Sequence, residues 1–169
     1  MKRKRMCAAE RERHSTAQHE AGHAVMAAIL GVGLTRVSIE PVSGTQGQVT
    51  YAIPAWITKG HPPESAVRRW CEANIMSQMA GFIAEKHFLG RANHVGATAD
   101  YAGTWEMANL ISLSQREAEL YLDALFERTA TLMKKRVLRR AVSRIAEALL
   151  LESNLTRRQV QRIVQEVIA

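Results

Sequence analysis

Two histidines four residues apart, with a glutamate beside the first, stand in "QHEAGHAV" at residues 18–25. On a helix, residues i and i+4 share a face. His19 and His23 can therefore offer two imidazoles to one metal ion, and Glu20, one step round, can reach a water on that ion. This is the physical content of H-E-x-x-H. Zinc suits it best, because zinc favours imidazole and has no redox side reactions. The chemistry would be hydrolysis: Glu20 takes the proton of a water attacking a carbonyl and hands it to the leaving amine. Chance matches of this kind usually lie on exposed helix faces. Here the rest of the helix face is Ala and Val, which places the pair at the wall of a cleft.

A catalytic zinc needs a third protein ligand. A histidine six residues after the second is absent, since position 29 is Ile29. Asp100, Glu85, His61, His87 and His94 remain, and spacing does not choose among them.

The elements that must position these groups read as mostly helical. The first helix spans Ser15 to about Leu30, with Ser15 and Gln18 as a capping box and Gly31 and Gly33 as the stop. Gly22 inside it costs about 1 kcal/mol against Ala, which points to close approach of another backbone or a ligand. "LTRVSIEP" and "QVTYAIP" alternate as strands of a hairpin or small sheet. A second helix pattern runs from about Glu64 to Leu89, with Gly81 as a close packing point. "GRANHVGATAD" reads as a loop leading to a helix that starts near Asp100. From Ser114 onward the chain is almost wholly helical, with a break near Lys134 to Arg136 and a last short helix capped by Thr156 or Asn154.

The expected fold is mainly α, of the α+β kind, with a small two- or three-stranded sheet beside the active-site helix. One domain spans residues 15–169, which is enough chain to bury a core without staples. Residues 1–14 read as a flexible basic arm without the apolar stretch of a secretory signal. Cys7 and Cys71 form no CxxC pair, which suits a reducing, cytoplasmic setting. No apolar run reaches about 18 residues, so no membrane span is expected. The formal charge of +7 could serve nucleic acid. No aromatic-rich binding motif accompanies it, so nucleic acid is not the expected partner. The "LTRRQVQRIV" tail reads as a helix packed on the core with an arginine-rich outer face.

"HEAGHAV", "VSIEPVSG", "GQVTYAIP", "MAGFIAEKHFLG" and "GATAD", in this order and followed by the helical tail, resemble the peptidase domain of the FtsH-type membrane metalloproteases. The resemblance covers about residues 15–165. It implies one zinc per chain on His19, His23 and Asp100, with Glu20 as general base. It implies that Glu85 orients a ligating histidine, with Glu85 as the runner-up third ligand. It also implies that Val49, Thr50, Tyr51 and Ala52 form a strand at the edge of the cleft, able to pair with an extended polypeptide substrate. Ala99 and Val95 depart from the Asn and Thr of the family's loop, which touches the support of Asp100 rather than the ligand itself. The family's domains form rings, so a homo-oligomer is plausible. The family also joins this domain to a membrane anchor and an ATPase, and this sequence shows neither an apolar span nor a G-x-x-x-x-G-K-[ST] loop. The expectation is an ATP-independent zinc endopeptidase limited to unfolded or flexible polypeptides, or served by a separate ATPase. The alternative is a zinc-binding regulatory module with restricted or absent proteolysis, touching nucleic acid through its basic surface. An intact Glu20 speaks for catalysis, because a non-catalytic zinc site has no need of that base.

Overall fold

Alanine gives the first helix both its stability and its slim cross-section. The computed structural model describes residues 6–42, 46–52, 54–56, 60, 62–90 and 94–169, with side chains from 100 onward in the last stretch. Helix α1 (Ala8–Leu30) buries Ala17, Ala21, Ala24 and Ala27 completely and ends at Gly31, whose φ of 72° closes the last turn. It begins earlier than Ser15. The cap is Cys7, whose thiol accepts from the Glu10 amide while the Glu10 carboxylate accepts from the Cys7 amide at 2.8 Å. Arg13 then ties this turn to the far end of the chain, donating to the Leu150 carbonyl at 3.2 Å and to the Ser153 hydroxyl at 3.1 Å. Residues 8–14 are therefore helix rather than a free arm; residues 1–5 lie outside the described residues.

Helix α2 (Glu64–Leu89) has the predicted bounds and packs antiparallel against α1. Gly22 sets the closeness of that contact. A Cβ there would collide with the Ala80 carbonyl and come within 2.7 Å of the Ala84 Cβ. Backbone on a buried helix cannot step aside. Gly22→Ala is expected to lower stability by about 1 to 3 kcal/mol, despite the better helix propensity of Ala. A urea unfolding midpoint equal to wild type would show that the helices can separate freely.

Strands β1 (Leu34–Ser38) and β2 (Gln48–Tyr51) pair antiparallel, as the alternation predicts. A third strand, β3 (Asn154–Thr156), joins the other side of β1, giving the order β2-β1-β3. Three residues leading into a helix carry no readable alternation, so this strand was not legible. Arg36 holds it, its guanidinium donating to Asn154 Oδ1 at 2.9 Å.

Helix α3 (His94–Leu110) starts before Asp100, which lies within it. Val95, Gly96 and Thr98 are weak helix formers, which is why this stretch reads as a loop in the sequence. Helices α4 (Gln115–Met133) and α5 (Arg136–Glu152) break at the predicted place, with Lys134 and Lys135 between them. Helix α6 (Arg157–Ile168) is capped by Thr156, paired with Gln159 in a capping box. Its Val160 and Val164 are buried, while Arg157, Arg158 and Arg162 face outward. One buried cluster runs from Ala17 through Ile145 and Leu149 to Val164. The molecule is thus mainly helical with a small three-stranded antiparallel sheet. Among the described residues no helix is long and apolar enough to cross a membrane.

Candidate metal centre

The site is a ladder between two antiparallel helices. Ser15, His19 and His23 recur at steps of four on α1, and Ser77, Gly81 and Glu85 do so on α2. Steps of four keep each set on one face. Glu85 forms one rung, accepting from the Ser15 hydroxyl at 2.5 Å and lying 3.2 Å from His19 Nδ1. Ser77 forms the other, its carbonyl accepting from His23 Nδ1 at 2.8 Å and its hydroxyl donating to the His23 carbonyl at 3.1 Å. Gly81 lies between them, where any Cβ would strike the His23 ring.

Asp100, from α3, closes the third side. Its Oδ2 lies 3.0 Å from His19 Nε2 and 3.3 Å from His23 Nε2. The three donors lie within 4.8 Å of one another, a group able to hold a metal ion. Both Nδ1 atoms already face acceptors, so a neutral ring turns its Nε2 lone pair toward the Asp100 oxygen. Two lone pairs and an anionic oxygen repel one another unless a proton or a cation stands between them. The residues therefore fit a cation.

Electrostatics agrees with that reading. Burial would lower the His19 pKa, but hydrogen bonds to Asp100 and Glu85 outweigh it and push it up to about 10. Burial likewise opposes ionisation of Asp100, yet His19 and His23 hold its carboxyl well below the usual carboxylate range. Glu20 is 6 % exposed, and burial pushes its pKa up. For the side chains alone, the raised His19 pKa contributes stability that is complete below about 6.5 and lost as pH rises through about 10. A metal must displace that proton. Zinc added at pH 8 to chelator-treated protein is expected to release about one proton from His19 per ion bound. Binding enthalpies that do not vary with the buffer's ionisation enthalpy would show the ring already neutral.

Of the other third-ligand candidates, Glu85 meets the His19 nitrogen turned away from Asp100 and is not one of the three converging donors. His87 sits at the end of α2, where burial and the charges of Arg139, Lys134 and Lys86 lower its pKa. His61 and the side chain of His94 lie outside the described residues.

The edge strand meets the site at its first residues. A Cβ on Gly47 would come 2.7 Å from Glu20 Oε1, so this glycine makes room for the carboxylate. Tyr51 turns inward, its hydroxyl 3.1 Å from Ser77 Oγ. Because the Ser77 proton goes to the His23 carbonyl, Tyr51 is the donor, and its side chain ties the strand to α2. The Ala52 amide donates to the Gly33 carbonyl at 2.5 Å, so it too is already engaged. A cleft of about 830 Å³ between α2, α3 and α4 reaches Asp100, with Met79, Phe82, Trp105, Leu122 and Phe126 as its apolar wall. Reading the sequence did not find Ser77, Gly47 or the true partner of Ser15. For Ser77 and for the Ser15–Glu85 pair, the repeated spacing of four on both helices is the signal; Gly47 carries none.

No protein-family model and no curated protein matches this chain.

Proposed function

We propose that the chain is a zinc-dependent endopeptidase of the FtsH type, acting on unfolded or flexible polypeptides. One observation carries the reading: His19, His23 and Asp100 converge, and the buried carboxylate of Glu20 feels the charges of all three. Donor separations of 3.0 and 3.3 Å approach the edge of a tetrahedron whose bonds are about 2.0 Å, roughly 3.3 Å. A zinc ion held there supplies Lewis acidity and lowers the pKa of a water to about 7.

The chain's own residues do the rest. Glu20 takes a proton at its carboxylate and returns it to the leaving amine. Glu85 and Ser77 hold the two imidazoles by their Nδ1 atoms, fixing tautomer and ring plane. Among the described residues strand β2 pairs only with β1, which leaves its outer edge unpaired there. Thr50 and Ala52 direct backbone groups inward, and alternation leaves those of Val49 and Tyr51 to the edge. An extended peptide laid there gains main-chain hydrogen bonds with little demand on its sequence. Gly47 brings the start of that edge against Glu20. Folded substrates would need a separate ATPase to unfold them.

The test is metal removal. Cleavage of casein should disappear after dialysis against a chelator and return with one equivalent of zinc per chain. Cleavage that survives chelation would end the zinc peptidase reading.

A further inference from the structure

Ser15 lies inside α1, where a serine hydroxyl commonly bonds back to the carbonyl four residues earlier. Its neighbour Thr16 does this, donating to the Glu12 carbonyl at 3.1 Å. Ser15 instead reaches across to α2 and donates to Glu85 Oε1 at 2.5 Å. Ser15 is 8 % exposed and Glu85 4 %, so little solvent can stand in for that hydroxyl.

The second oxygen of Glu85 faces His19 Nδ1 at 3.2 Å. Ser15 and His19 are one turn apart on the same helix, so the carboxylate bridges them. A carboxylate held at one oxygen alone can turn about its last torsion, which is broad. Held at both, it has a fixed plane. That plane aims Oε2 at Nδ1, keeps the proton on that nitrogen and turns His19 Nε2 toward Asp100.

We propose that Ser15 is a positioning residue of the metal centre, acting through Glu85 on the orientation of His19. This rests on the zinc reading above. Ser15→Ala is expected to weaken zinc binding by about tenfold, the lower end of what losing an outer hydrogen-bond partner costs. The affinity is read by competition with a chromophoric chelator, which needs no substrate. The decisive comparison is a double-mutant cycle with Glu85→Gln. A residue acting through Glu85 loses its effect when Glu85 has already been changed. A residue that merely packs costs the same in both backgrounds.

A tenfold loss in the wild-type background, with less than a twofold further loss beside Glu85→Gln, supports the proposal. Ser15→Ala within twofold of wild type, or an equal loss in both backgrounds, overturns it while leaving the zinc reading intact. Wild-type protein that binds no zinc sinks both, and is distinguished by the first titration alone.

Discussion

A Glu20→Gln protein is expected to keep one zinc per chain while its cleavage of casein falls by about 10²- to 10⁴-fold, the usual weight of a general base. Glutamine matches glutamate in size but cannot accept the proton. Size matters at this position, because Glu20 is buried and Gly47 leaves room for little more than the carboxylate already there. The amide therefore fits where the acid was, and the three donors able to hold a metal lie on other residues. Metal analysis and proteolysis on the same preparations separate the outcomes. Zinc in both proteins with cleavage only in wild type supports Glu20 as the base. Equal cleavage in both removes Glu20 from the chemistry. Zinc in both and cleavage in neither favours a regulatory module over a general peptidase.

Asp100→Ala is expected to weaken zinc binding by more than about 100-fold, beyond what loss of an outer partner costs. Asp100 Oδ2 is the point toward which both His19 Nε2 and His23 Nε2 turn, and alanine leaves only two imidazoles. Glu85 cannot substitute, because its carboxylate is engaged by Ser15 and meets the opposite nitrogen of His19. Stoichiometric zinc in Asp100→Ala, measured after gel filtration, would overturn the ligand assignment and return Glu85 to candidacy.

How much of this was legible depended on how local each signal was. The pair of His19 and His23 is written in a spacing of four on one helix. The break at Lys134 to Arg136 and the Thr156 cap depend only on neighbouring residues. Gly22 announced a close approach because its cost within a helix needs a reason, and the Ala80 carbonyl is that reason. What failed was long-range. Ser15 and Gln18 satisfy the capping pattern, yet Arg13 ties the preceding turn to α5 and the helix runs on. Strand β3 exists because β1 offers it an edge, not because three residues prefer to be extended. The inward turn of Tyr51 depends on Ser77, 26 residues away. Asp100 could be singled out only by resemblance, since spacing left five candidates open.

The origin of the three donors has a mechanical side. Two come from α1, but Asp100 comes from α3, beyond strands β1 and β2 and the whole of α2. An ion gripping all three acts as a cross-link, closing a long stretch of chain between His23 and Asp100. Cross-links of this kind stabilise mainly by restricting the unfolded chain. On the proposed zinc reading, metal withdrawal would release a clasp between distant parts of the polypeptide as well as a catalyst. The melting temperature would then be a meter of metal occupancy, and α3 would be the element whose docking the ion guards.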